Sequence, residues 1–321
     1  MEREYGFELG LCAALEQETE WLLARQLGGA VADPGQRIVD VVGVVPGPAF
    51  ADRARITAST IPPAAVEADL GVGRARPPQA AFDCRPERRA AVVADAVDCG
   101  FLTREPDDTQ PRVRQTTRYP DEWVGELVAI ENKPDLDRPG GLREQLRLDA
   151  SLALFDRVVL ATATHVTGAH RNRIPDPVGI WRFDPESGQR RIVRSADRLP
   201  VAEPGIEPRA YRDGRTDISV VSPAAKHRRR RRIAERAYGK GWRPDAYPAC
   251  ARCEPTDDGR PWCAAYDRVV DPASECGTDC PHHDPADPPV VDTDRLRDAR
   301  TPWERAPDGT VDRQVGLGDF G

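Results

Sequence analysis

The residues best suited to chemistry sit where acids and a lysine interrupt apolar runs. In Glu126-Leu127-Val128-Ala129-Ile130-Glu131-Asn132-Lys133 an acid and an ammonium close a stretch of strand-forming residues. Strand side chains alternate, so Glu131 and Lys133 share one face while Val128 and Ile130 take the other. Half-burying such charges is costly unless they are paired or bound to a metal. Asp40 is the matching oddity, an acid amid Ile38, Val39, Val41 and Val42. If the two strands pair, two carboxylates and an ammonium converge at one sheet edge. Two carboxylates suit Mg²⁺ or Mn²⁺, hard cations that prefer oxygen ligands. A metal held this way acidifies a bound water and neutralises phosphate charge, and a lysine beside it steadies the transition state. The competing reading is a plain surface strand that happens to end in Glu-Asn-Lys.

A second cluster lies near the C-terminus. Cys250-x2-Cys253-x9-Cys263-x12-Cys276-x3-Cys280 gathers five of the eight cysteines. Paired knuckles of this kind suit tetrahedral thiolate binding of Zn²⁺ by four of the five. A [4Fe–4S] cluster is the alternative, for which Cys12 is a further candidate ligand. Cys84 and Cys99 read as buried apolar residues. Between the two clusters, Lys226, His227, Arg228, Arg229, Arg230, Arg231 and Arg232 form a cationic run, continued by Arg236 and Lys240. Arginines pair bidentately with phosphates, so Lys226, Arg228 to Arg232 and Lys240 are candidate nucleic-acid contacts, set against the alternative of a solvated helix face.

These residues need elements to position them. Phe7 to Leu27 reads as one helix closed by Gly28-Gly29, and Arg37 to Val45 as a strand stopped by Pro46-Gly47-Pro48. About eighty residues separate that strand from Gly125 to Lys133. Within the gap, Pro86 to Gly100 is a helix followed by Phe101-Leu102, a charged turn and the strand Arg112 to Thr117. That order resembles the second half of a winged helix. A helix from Leu142 to Phe155, a strand from Arg157 to Thr162 and a hairpin of Val178–Phe183 with Arg190–Val193 complete the reading.

The order of helix with Glu8, strand with Asp40, strand with Glu131-Asn132-Lys133, helix with Gln145, and strand Arg157 to Thr162 resembles the PD-(D/E)xK nuclease superfamily. RecB-like nucleases and archaeal Holliday-junction resolvases belong to it. The resemblance implies a restriction-endonuclease-like α/β fold, a mixed sheet flanked by helices. In it Asp40 and Glu131 are metal ligands, Lys133 is the catalytic lysine, Glu8 is a supporting acid, and Gln145 is the glutamine of the following helix. Over its full length the chain also resembles a family of haloarchaeal proteins of uncharacterised function.

The expected organisation is a nuclease-like core of residues 1–50 and 120–195 and an insertion at 51–119, helical and winged-helix-like. A basic helical linker at 196–245, a cysteine module at 246–285 and a polar, poorly ordered tail at 286–321 follow. The chain of 321 residues carries 53 acids against 46 lysines and arginines, only three of the latter being lysine. An acidic, arginine-rich balance of this kind suits solvation in high salt, where the screening length is about 3 Å, and does not argue against a nucleic-acid partner. No run of about 18 apolar residues is present and the N-terminus lacks a signal-peptide pattern, so a cytoplasmic protein is expected. The function expected is metal-dependent hydrolysis of DNA in repair, recombination or defence. Two alternatives remain: a DNA-binding protein without cleavage activity on the same fold, and a zinc-module protein-interaction factor.

Overall fold

The apolar spacing that reads as one helix from Phe7 to Leu27 divides at Glu18. The computed structural model describes residues 2–106, 111–137 and 140–307, and in it α1 spans Glu2–Glu18 while Leu22–Gly28 is a strand, β1. Thr19 makes the break: its hydroxyl donates to Leu15 O at 2.7 Å and accepts from Trp21 N at 3.3 Å. Apolar residues then alternate for pairing with β2, Ile38–Pro46. A short apolar run fits either period, and the partner strand decides.

Between β2 and β5 (Val124–Asn132) the chain makes four short helices and a hairpin. The helices are α2 (Phe50–Ala54), α3 (Pro63–Val66), α4 (Pro78–Ala81) and α5 (Pro86–Asp98). The hairpin is β3 (Leu102–Glu105) with β4 (Arg112–Gln115), and Arg76 adds a bridge to Val113. The expected helix and the strand at Arg112 are therefore present, Leu102–Glu105 adds a second strand paired with it, and the charged turn at 107–110 lies outside the described residues. The segment shares the main core through Phe50, Ile61, Phe82 and Phe101.

After β5 come α6 (Leu142–Leu152), β6 (Arg157–Thr162), α7 (Gly168–Arg171), and the antiparallel pair β7 (Gly179–Phe183) and β8 (Arg190–Arg194). The central sheet is mixed, in the order β1-β2-β5-β6-β7-β8, with β5, β6 and β7 parallel and the other neighbours antiparallel. Alternation along β5 sorts the two faces. Val128 and Ile130 pack under Phe7, Leu11 and Leu15 of α1. Leu127 and Ala129 face Leu146 and Leu152 of α6, and Ile233, Ala237 and Tyr238 of the later helix α8 (Pro223–Lys240).

The region expected as a helical linker, 196–245, is built otherwise. Gly205–Arg212 and Arg215–Val221 form a hairpin, β9 and β10, before Ser222 caps α8 by accepting from Ala225 N at 3.3 Å. The cysteine-rich segment holds three short strands, β11 (Cys253–Pro255), β12 (Pro261–Cys263) and β13 (Arg268–Val269). The expectation of a poorly ordered tail fails in its first half. There α9, Thr293–Arg300, buries Arg297, and Trp303 donates to Ala58 O at 3.0 Å. Residues 308–321 lie outside the described residues. Among the described residues no helix is long and apolar enough to cross a membrane.

Candidate functional site

The register of β2 and β5 is what assembles the site. Val41 pairs with Ile130, so Asp40 and Glu131 are the next opposed positions where the two strands leave the ladder. The chain turns after Asn132, and Asp40 Oδ2 accepts from Asn132 N at 2.8 Å. Glu8 arrives from α1 and Gln145 from α6. A cavity of about 480 Å³ opens between them, and all five residues singled out from the sequence (Glu8, Asp40, Glu131, Lys133 and Gln145) line it. Lys133 leans toward α1, where Nζ donates to Glu4 Oε1 at 2.9 Å, with the lysine side chain 27% exposed.

Burial sets the electrostatics. Asp40 is pushed above its ordinary range first by loss of solvent and then by Glu8, against the pull of the Asn132 N–H and Arg37. Glu131 is raised by burial and by Asp40, and Arg37 opposes the rise. Desolvated carboxylates side by side favour protons, or a cation that replaces them.

The cations present are protein ones, and sequence reasoning missed them. Arg37, 4% exposed, donates through Nη2 to Glu131 Oε2 at 2.6 Å and to Asp149 Oδ2 at 2.8 Å. Asp149 had a legible signal. It falls on the buried stripe of α6 with Leu142, Leu146 and Leu152, where an acid needs a partner. Arg25 pairs with Glu8, which also accepts from Gln26 Nε2 at 3.3 Å and Asn132 Nδ2 at 3.3 Å. Gln26 reaches Glu8 from a left-handed backbone, φ 56°. Among the described residues, three buried polar atoms lack a hydrogen-bond partner: Asn132 Oδ1, Arg229 Nε and Tyr238 Oη. Asn132 lines the cavity, so an unsatisfied acceptor sits beside the carboxylates.

Among the described residues no three His, Cys, Asp or Glu side chains, the clustered cysteines included, form a group placed to hold a metal ion. The donor set itself fits a hard cation, since Asp40, Glu131, Glu8 and Asn132 Oδ1 all offer oxygen.

The cysteines gather without closing. Cys253 and Cys263 are direct partners on β11 and β12. Cys250 Sγ accepts from Arg252 N and Asp284 N, both at 3.5 Å. The thiols of Cys253 and Cys276 are pushed up to about 11, by burial first and then by neighbouring cysteines among Cys250, Cys263, Cys276 and Cys280. Cys12 stands apart, fully buried in the apolar layer beneath α1 with its thiol raised by that burial. The segment between Val269 and Cys276 supplies Asp271 and Ser274 to the wall of the carboxylate cavity, a link between the two clusters that the sequence does not announce.

The basic run is corrected most. Lys226 is fully buried and donates to Pro200 O and Glu203 O at 3.2 and 2.9 Å, so it is closed to a phosphate. Arg229 donates to Gly28 O at 2.9 Å. Arg230 holds Leu154 O and Asp156 at 2.7 and 2.6 Å. Arg231 meets Asp121 at 3.5 Å and stacks on Tyr119, and Arg232 pairs with Glu67 at 2.6 Å. Arg228 and Lys240 remain on the outside, Lys240 donating to Arg25 O at 2.7 Å. Lys226, Arg229 and Arg230 tie α8 to the body of the protein, because an inward arginine or lysine must find carbonyl or carboxylate acceptors.

A model of a family of unknown function, DUF5787, matches residues 22–285. The chain belongs to that family. The part matched to DUF5787 contains Asp40, Glu131, Lys133, Gln145 and the five clustered cysteines, while Glu4 and Glu8 on α1 precede it. No curated protein and no solved structure matches the chain.

Proposed function

We infer that this DUF5787 protein is a divalent-metal-dependent nuclease with a PD-(D/E)xK-type core that hydrolyses DNA phosphodiesters. The observation carrying this reading is the convergence of Asp40, Glu131, Lys133, Glu8 and Gln145, drawn from two helices and two strands, on one oxygen-rich cavity. The element order of the resemblance supports it too, with β1 as an added edge strand. The unsatisfied Asn132 Oδ1 supports it too, since Asn132 lines the cavity and a buried acceptor without a partner costs about 1–3 kcal/mol until something donates to it or coordinates it.

Asp40 and Glu131 would hold Mg²⁺ or Mn²⁺, with Glu8 and Asn132 Oδ1 as further oxygen donors. When bound, that ion supplies an acidified water and neutralises charge on the scissile phosphate. Arg37, itself held by Asp149, fixes Glu131 through Oε2. Lys133 stabilises charge on the phosphate oxygens once it releases Glu4. Four of Cys250, Cys253, Cys263, Cys276 and Cys280 would bind Zn²⁺ or an iron–sulphur cluster and brace the wall carrying Asp271.

The deciding experiment is cleavage of labelled single-stranded, duplex and branched DNA in high potassium chloride, with Mg²⁺, Mn²⁺ or chelator. Cutting that needs a divalent ion and is lost in Glu131→Ala and Lys133→Ala is the expected result. Absence of cutting on every substrate, with DNA bound equally by wild type and both variants, would overturn the reading in favour of a binding protein.

A further inference from the structure

The exposed cations of α8 form a pattern. Arg228, Arg232, Arg236 and Lys240 are exposed and recur every four residues, one inclined row along the helix. At a rise of about 1.5 Å per residue the row is about 18 Å long. Half-buried Arg229 lies beside it. The helix has one acid, Glu235, and that acid is completely buried against Arg53. The outward face of α8 is therefore cationic without an acid of its own, in a chain of net charge −7. Acids from other elements temper it at Arg232, which pairs with Glu67, and near Lys240, where Asp245 and Glu8 lie within electrostatic reach. Arg228 and Arg236 have no ion pair among the described residues.

The direction of the row matters as much as its charge. α8 lies along the edge strand β1: Arg229 meets Gly28 O at one end and Lys240 meets Arg25 O at the other. The side chain of Arg25 enters the cavity and pairs with Glu8. The Lys240 end of the row thus meets the backbone of Arg25, a residue whose side chain lines the carboxylate cavity. One row of cations matches one phosphate backbone, and a cavity of about 480 Å³ is the size of a nucleotide-scale site, not of a double helix.

We propose that the outward face of α8, through Arg228, Arg232, Arg236 and Lys240, is a track that binds the backbone of single-stranded DNA and leads it to the cavity. The destination of the strand rests on the nuclease reading; the binding does not. No base recognition is involved, so affinity is sequence-tolerant and falls steeply with salt.

The test is fluorescence anisotropy of a labelled oligothymidylate and a matched duplex, in chelator, over a potassium chloride series. Wild type is compared with Arg228→Ser/Arg236→Ser and with Arg182→Ser/Arg191→Ser on the far edge of the sheet. The expected result is tighter binding of the single strand. The α8 double variant should lose about tenfold or more in affinity, with its log–log salt slope smaller by about 1.4, two contacts at about 0.7 each. The far-edge variant should bind like wild type. Equal affinity and slope in the α8 variant, or tighter binding of the duplex, would overturn the track. Failure of the nuclease reading looks different: α8-dependent binding with no divalent-dependent cutting keeps the track and removes the chemistry.

Discussion

Two buried arginine–carboxylate clusters lie on the α8 face of the sheet, and they are finished to different degrees. In the first, Arg53 and Glu235 are wholly buried and bond twice at 2.7 Å. The remaining Arg53 donors reach Thr57 O and Ser59 O at 2.9 Å, and Glu235 also accepts from Tyr119 Oη at 2.8 Å and Ile61 N at 3.0 Å. The Tyr238 ring lies 3.9 Å from the guanidinium. Both charged groups of that pair are matched, although the neighbouring Tyr238 Oη has no partner, and the pair ties α8 to the insertion. In the second, Arg37 bridges Glu131 and Asp149 while Asp40 stands alongside raised by desolvation, Asn132 Oδ1 has no partner, and a cavity adjoins. A saturated network is a lock; an unsaturated one beside a cavity is a place to bind.

The largest effects should separate the two clusters. Glu235→Ala leaves Arg53 buried without its counter-charge and should cost about 3–5 kcal/mol in denaturant unfolding, whereas Arg53→Met/Glu235→Leu should recover much of it. A loss under 1 kcal/mol would mean that the lock is not one. Lys133→Ala should do the reverse. Its pair with Glu4 is half-exposed, so stability should move by no more than about 0.5 kcal/mol, while divalent-dependent cleavage falls about 10²–10³-fold.

Much of the second cluster was legible because its acids violate apolar patterns. Asp40 and Glu131 interrupt strands, and their convergence needs only that β2 and β5 pair, which their composition favours. Arg37 was not legible, because it lies in the turn-like Gly35-Gln36-Arg37 and its target comes from an element more than a hundred residues away. β1 was misread because Leu22, Leu23 and Leu27 extend the helical spacing of Leu11 and Leu15, and only pairing with β2 fixes their period. The cationic run hid two roles at once. Ile233, Ala234, Ala237 and Tyr238 define the inner face of α8, which sends Lys226 and Arg230 inward and Arg228, Arg236 and Lys240 outward. Periodicity separates them where composition alone does not.

A smaller effect probes the unsatisfied acceptor. If Asp40, Glu131 and Asn132 hold Mg²⁺, a hundredfold excess over its Kd should raise the unfolding free energy by about 2.7 kcal/mol. Asn132→Leu should weaken the ion about tenfold, or about 1.4 kcal/mol, with little change in stability without metal. Equal Mg²⁺ affinity in the variant would show that Asn132 Oδ1 faces the cavity without serving it.

The smallest effect is in pH dependence. Burial raises both Asp40 and Glu131, so the folded protein holds their protons at pH values where the unfolded chain has released them. Their contribution to stability is fully present below the ordinary carboxylate pKa of about 4. It is lost as pH rises through the pair's elevated values, because in that window the native state binds more protons than the unfolded one. Asp40→Asn removes one titration and the charge that raises Glu131, and should flatten the decline between pH 4 and neutrality. Mg²⁺ should stabilise wild type more at the upper end of the window, since it competes with those same protons. A decline unchanged by Asp40→Asn would mean that the carboxylates are already neutralised by Arg37 and Arg25, and that the second cluster is as closed as the first.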